Sequence, residues 1–503
     1  MSNNKDNNET IFFITDNLKL SKEGNKYYKN GIELKKIDEN TNDKNTDNEN
    51  TNDKNTDNEN YFKLELKQAV SNFINKSFKH IVVLVGAGAS VVNDNNTINN
   101  EYGKTINMIA EKVYEELKEK KYELTYLTNE KDKETIETFS LEEIISIIEN
   151  KEVNKIHIGN KEYNCNKEGD SNKKDGGNKE DNGSKEENGN KKDGGNKEDN
   201  GSKEESGNKK DDSNKEDNNN KSNESIRFNL ENFLSKLITY NQLVKNENTE
   251  KMKNSQKAIF DIIKKNVAYE YDSKVFRHTS LIKILSKKLS NENKLSIVTT
   301  NYDTLIEDAA ELINYTVIDG FSFSRKPKFD DDLFEWHLSR HVSNVNTQQN
   351  IYKSQVIDLL KLHGSLTWRK NEKGEVLRKD KYAPGDAVMI FPSTNKYMHS
   401  YEDPYFELFT KFQELLKRPN TLLITTGFSF SDNHISQMII QAINHNTGLY
   451  VLISDFDITP DKPNKNWKKL MDMIKDHDPI AFLRATLNDE LTDYLGGSSD
   501  ESR

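Results

Sequence analysis

One cysteine, Cys165, is all the chain has among 503 residues. A single thiol cannot build a four-cysteine zinc site, so no zinc is expected, and the near-absence of cysteine fits a reducing, cytoplasmic compartment. Long apolar runs are missing too. Nothing approaches the ~20 residues that span a bilayer, and Met1-Ser2-Asn3-Asn4-Lys5-Asp6 opens a polar stretch rather than a secretory signal, so no membrane association is expected. Excess positive charge is also lacking: 73 basic against 84 acidic residues give a net charge of −11. No basic stripe interleaved with aromatics occurs, so direct nucleic-acid binding is not expected.

Hydrophobic residues are scarce for this length, at 33% with a mean hydropathy of −0.94. Two tracts account for much of this. Residues 39–60 carry Glu-Asn-Thr-Asn-Asp-Lys-Asn-Thr-Asp-Asn twice in tandem, and residues 172–220 follow an 18-residue period of Asn, Lys, Asp, Glu, Gly and Ser. Neither holds enough apolar surface to offset the entropy of ordering it, and both read as disordered. The expected organisation is therefore a polar segment with a disordered repeat over 1–60, the start of the main folded domain over 61–165, and a low-complexity insertion over 166–224. A helical subdomain over 225–290, the rest of the domain over 291–485 and a tail over 486–503 complete it. Aliphatics at helical spacing in Leu141–Ile148, Phe228–Leu237 and Ala258–Ile263 predict helices on both sides of the insertion. Glu142 and Glu231 on these helices read as solvated surface.

What remains is rich in short apolar runs that end in polar or glycine residues. Ile81–Val85 reads as a strand covered on both faces and runs into Gly86-Ala87-Gly88-Ala89-Ser90. Gly86 and Gly88 suit a tight turn and close backbone approach to a diphosphate, with Ser90 placed to cap a following helix. The third glycine of the six-residue dinucleotide fingerprint is missing, so a ligand-free turn is an equal reading of this motif alone. Leu295–Thr300 is a second strand, leading to Asn301, Tyr302 and Asp303 before a helix near Leu305. Asp303 or Thr304 as a helix cap is the plainer reading there. Val356–Leu362 is a third, delivering His363 beside Gly364. Three strands ending this way describe an α/β fold, a doubly wound parallel sheet with its ligand crevice at the carboxyl edge.

The order Gly-Ala-Gly-x-Ser, Thr-x-Asn-x-Asp, Leu-His-Gly-Ser and Gly427-Phe428-Ser429-Phe430-Ser431-Asp432-Asn433-His434-Ile435 resembles the sirtuin-like NAD-binding domain. It is most similar to the bacterial branch found in antiphage defence proteins, associated with HerA-type ATPases. The resemblance runs from about Phe62 to about Leu483. It implies a Rossmann-like core that takes NAD as substrate. Gly86, Ala87, Gly88 and Ser90 would hold the diphosphate, and Asn301 and Asp303 would line the nicotinamide-ribose pocket with Thr300 in the position of the sirtuin glutamine. His363 would be the general base. Gly427 and Ser429 would lie near the adenine ribose, with Ser454 or Asp455 where sirtuins place an asparagine.

Deacylating sirtuins carry a four-cysteine zinc module after the histidine, which this chain cannot form. Water as the acceptor is the economical inference, giving an NAD+ hydrolase of antiphage or abortive-infection type. A zinc-free ADP-ribosyltransferase or deacylase, and a non-catalytic sensor of NAD or ADP-ribose, stay open. Cleavage at the ribose develops oxocarbenium character, which calls for a proton acceptor and a polar group fixing water. His363 and Asn301 suit those roles. The resemblance also implies a homo-oligomer and a separate HerA-type ATPase partner.

Overall fold

Successive side chains of a strand point to opposite faces, so an all-apolar strand needs cover on both. Ile81, Val83 and Val85 join one apolar cluster and Val82 and Leu84 the other. The computed structural model describes residues 9–35, 51–94, 97–98, 102–125, 133–151, 153, 155–164, 225–342, 350–383, 387–389, 403–460, 462 and 464–496. Its largest sheet takes in β1 (Glu9–Ile14), β2 (Lys19–Glu23), β3 (Lys26–Lys29), β4 (Ile32–Glu33), β5 (His80–Val85) and β6 (Leu295–Thr299). The others are β7 (Thr316–Ile318), β8 (Val356–Lys361), β9 (Thr421–Thr426), β10 (Leu449–Asp455) and β11 (Ile480–Arg484). Their order is β7-β8-β6-β5-β9-β10-β11-β1-β2-β3-β4. The seven strands from β7 to β11 are parallel, and β1 to β4 extend the sheet antiparallel.

Two helical layers cover this sheet, as expected for a doubly wound α/β fold. On the face of Ile81, Val83 and Val85 lie α1 (Thr51–Ile74), α6 (His278–Lys287), α7 (Leu305–Leu312) and the short α11 (Leu491–Tyr494). On the other lie α8 (Tyr405–Lys417), α9 (Asn433–His445) and α10 (Lys465–Lys475). From β5 the chain builds β6, β7 and β8 on one side and then returns to β9 on the other. The topological switch point therefore lies between β5 and β9, where a doubly wound sheet opens its crevice.

Between β5 and β6 run α2 (Ile106–Leu117), α3 (Leu141–Glu149), α4 (Leu230–Leu243) and α5 (Thr249–Val267), which pack on one another. They include the three predicted helices on either side of the insertion. Glu142 is half-buried, and the side chain of Glu231 lies outside the described residues. Glu152–Arg227 forms a second unit. In it Lys155–Ile158 and Lys161–Asn164 make an antiparallel hairpin, with Ser225–Arg227 parallel to the first strand. Cys165 and the tract at 166–224 lie outside the described residues.

Two boundaries differ from the sequence reading. Within 1–60, read as a polar segment, residues 9–35 join the sheet: Ile11 and Phe13 are buried, and Phe13 and Ile14 pair β1 with β11. In the same segment α1 begins at Thr51, taking residues 51–58 of the second repeat copy into a helix. The cause is its continuation, since Phe62, Leu66, Val70 and Ile74 anchor α1 on the sheet, and extending a formed helix costs little. At the other end, the tail from residue 486 carries Leu487, Leu491 and Leu495, all buried in the same layer.

Candidate active site

Register fixes which residues meet at the carboxyl edge. Val85 pairs with Thr299 and with Thr426, and Thr299 with Lys361. Ala87, Asn301 and His363 thus each stand two residues beyond the last pair on strands β5, β6 and β8, which run about 4.8 Å apart. The hydroxyl of Thr299 and the N–H of Thr300 both donate to Val85 O, at 2.9 and 3.1 Å. Leu362 N–H donates to Thr299 O at 2.9 Å. The three segments expected to converge do so.

The glycines do something other than the sequence suggested. Gly86 N–H donates to Thr426 O and Gly88 N–H to Gly427 O, each at 2.9 Å, so both amides are committed to the β9 loop rather than offered to a diphosphate. A Cβ on Gly86 would stand 2.4 Å from Gly427 O, and one on Gly88 2.8 Å from Gly427 Cα. Gly427, at φ +63°, meets Ala89 N from the other side. Two backbones touch at the switch point, and only glycine allows it. No α-helix starts at Ser90 either. Ala87–Ser90 is a single 3-10 turn followed by extended Val91, so Ser90 caps nothing and the expected helix dipole is not there.

Ser90 instead joins a buried network. Its hydroxyl donates to Asp303 Oδ2 at 2.9 Å and accepts from Asn301 Nδ2 at 3.1 Å. Asn301 Nδ2 also donates to Gly86 O at 3.1 Å. With both amide hydrogens used, Oδ1 is what Asn301 can offer a ligand. Asp303 Oδ1 accepts from Leu305 N–H at 3.2 Å at the start of α7, so the capping role coexists with the network. Burial pushes the Asp303 carboxyl above its ordinary value, opposed by the charge of Lys361.

His363 is 6% exposed, and its Nε2 lies 3.3 Å from Asp432 Oδ2. The other carboxylate oxygen of Asp432 accepts from His434 N–H and Ile435 N–H at 3.0 and 3.2 Å, capping α9. The motif after β9 thereby supplies a fixed acid to the histidine, a role the sequence reading did not assign to Asp432. Sequence reasoning missed two further residues. Lys361, the last residue of β8, is 2% exposed. Asn488 Nδ2 donates to Ala89 O at 2.9 Å and Val91 O at 2.8 Å, stapling the glycine loop from the supposed tail.

The adenine-side candidates are less committed. Ser429 is exposed and donates to Ser431 Oγ at 3.1 Å. Ser454 donates to Ala485 O at 2.6 Å, leaving Asp455 as the residue level with Gly427. Burial raises the Asp455 carboxyl, opposed by Lys462 at 3.4 Å.

The doubly wound sheet thus brings an asparagine and an acid-paired histidine to its carboxyl edge. Residues 295–472 match the family model of the SIR2-like domain. That supports a sirtuin-like family and NAD-dependent activity of sirtuin type in general. The match starts at β6, and hydrogen bonds from Asn301 and Thr300 tie the earlier glycine loop to it. No curated protein matches the chain. For a nucleotide such as NAD, Asn301 Oδ1 is a free acceptor among the described residues and His363 a ring able to meet hydroxyls and water. In the glycine loop, Ala87 is the exposed residue.

Proposed function

We propose that the chain is an NAD+ hydrolase that cleaves the nicotinamide–ribose bond. The observation that carries this reading is the placement of Asn301 and of the His363–Asp432 pair just beyond the ends of the neighbouring strands β6 and β8. Water adds to the ribose carbon as the bond to nicotinamide breaks, nicotinamide leaves neutral, and one proton is released. His363 takes that proton, and the Asp432 carboxylate orients the ring and stabilises it once protonated. Asn301 Oδ1 accepts a hydrogen bond from the water or a ribose hydroxyl, held in place by Ser90 and Gly86. The low exposure of His363 limits water at the site to what the ligand leaves room for.

The proposal extends to an antiphage, NAD-depleting effector that works in the cytoplasm as a homo-oligomer with a separate HerA-type ATPase. The resemblance read from the four motifs supports this part. Light scattering on the purified protein and co-purification with such an ATPase test it; a lone monomer that captures none counts against it. Products separate the hydrolase from its relatives in chemistry. Free ADP-ribose equal to the NAD consumed supports hydrolysis, whereas labelled ADP-ribose bound to protein supports transfer, and nucleotide binding without turnover supports a sensor.

A further inference from the structure

Lys361 closes β8 immediately before the Leu362-His363 step, and its ammonium lies inside the protein. Strand alternation puts it on the same face as Ile357 and Leu359, against α7. An aliphatic residue would fill that place without the cost of desolvating an ammonium. The ammonium is held by two groups. It donates to Glu307 Oε1 at 2.8 Å and, by a short hydrogen bond, to the backbone carbonyl of Asp303. Glu307 belongs to the first turn of α7, and Asp303 opens that helix.

From Asp303 the contacts continue without a break. Its carboxylate accepts the Ser90 hydroxyl, Ser90 accepts from Asn301 Nδ2, and Asn301 Nδ2 reaches Gly86 O. One end of this chain is thus two residues from His363 on β8, and the other fixes the amide of Asn301 on β6. We infer that Lys361 is a positioning residue: it holds the loop of Asn301 and Asp303 against the strand that carries His363, and so sets the relative placement of the two. The inference rests on the NAD hydrolase reading for its kinetic consequence, and on geometry alone for its structural one.

The groups facing the Asp303 carboxyl are Lys361 from β8, Glu307 from α7, Ser90 from the glycine loop and Tyr269 from the segment after α5. Lys361 is the cation among them and favours the ionised acid that Ser90 needs as acceptor. Replacing it by methionine removes the charge while keeping the volume, so Asp303 takes up a proton at higher pH. Protonated, Asp303 no longer requires the Ser90 hydrogen, and the orientation of Asn301 loosens. Arginine keeps the charge.

The test compares the full-length protein with Lys361→Met, Lys361→Arg and the double variant Lys361→Met/Glu307→Gln, which leaves no unpaired acid behind. Without any ligand, the side-chain amide signal of Asn301 in asparagine-labelled protein is assigned by its loss in Asn301→Ala. The inference expects that signal to shift in both methionine variants and to stay near its original place in Lys361→Arg. For NAD hydrolysis it expects kcat to fall on the order of 10- to 100-fold in the methionine variants with KM changed less than about threefold. The acid limb of kcat moves to higher pH in those variants and returns with arginine. An Asn301 amide signal unmoved in the folded double variant overturns the inference, as does a wild-type kcat with an unmoved acid limb. If the unsubstituted protein leaves NAD intact while the amide signal responds, the hydrolase reading fails and the positioning role stands.

Discussion

Gly86→Ala isolates the backbone contact at the switch point. Gly86 has φ −106° and ψ −179°, which any residue adopts, so the substitution introduces no dihedral strain. The added Cβ would lie 2.4 Å from Gly427 O, 2.7 Å from Phe428 Cα and 2.9 Å from Gly427 C, all of them backbone. Relief requires the β5 and β9 loops to part by about 1 Å, since nonbonded carbons rest roughly 3.5 Å or more apart. That stretches the 2.9 Å bonds from Gly86 N–H to Thr426 O and from Gly88 N–H to Gly427 O beyond hydrogen-bonding range. Two weakened hydrogen bonds at about 1 kcal/mol each, with about 1–3 kcal/mol of overpacking, give a loss of roughly 3–5 kcal/mol. Urea unfolding followed by the fluorescence of buried Trp368 and Trp467 measures it. Ala87→Ser, on the exposed residue of the same loop, should stay within about 0.5 kcal/mol. A loss under about 1 kcal/mol in Gly86→Ala, with nucleotide binding abolished, would refute the reasoning and return the glycine to a ligand-approach role.

Asp432→Asn keeps an acceptor for the N–H groups of α9, so stability should change by less than about 1 kcal/mol, while NAD turnover falls on the order of 100-fold or more because the histidine loses its charged partner; unchanged turnover would contradict the pairing. His278 is buried, with its Nδ1 lacking a partner among the described residues and its imidazole pushed down to about 4 by burial. Its contribution to stability is complete above the unfolded value near 6.5 and is lost as pH falls toward 4, up to about 3 kcal/mol; His278→Gln should remove that acid slope in unfolding titrations. Asp358, beside Lys294 at 2.8 Å, runs the other way. Burial raises it to about 6, so its contribution is present below about 4 and lost as pH rises through 6, again up to roughly 3 kcal/mol. Asp358→Asn should flatten that fall, and an unaltered pH profile would show that Lys294 already keeps the acid ionised.

Much of the sheet could be read from the chain because its central strands are buried on both faces. Ile81–Val85, Leu295–Thr299 and Thr421–Thr426 hold only apolar residues and small hydroxyl residues, and a parallel strand between helical layers must look so. The strands β1 to β4 escaped because they are short and part-polar, with the apolar signal confined to Ile11–Ile14 of β1 and single buried residues, Leu20 and Tyr27, in β2 and β3. At the site, the types and order of residues were visible and their partners were not. Gly86 and Gly427 are 341 positions apart, and no local pattern states that one glycine exists for the other. Asp432 stood out only as one position of the last motif; one oxygen caps α9, and the other meets His363 only after the fold brings β9 and β8 to a common edge. Lys361 sits in an apolar strand like a polar terminus, and its burial follows from α7 crossing above it.

The central claim is that Asn301 and His363 act together on NAD. Purified protein incubated with NAD, resolved by chromatography beside Asn301→Ala and His363→Ala, tests it most directly. The account predicts nicotinamide and free ADP-ribose in equal amounts from the unsubstituted protein and neither from the two variants, with all three equally folded. NAD left intact by the unsubstituted protein, alone and with a HerA-type ATPase added, would contradict it, as would turnover that survives either substitution.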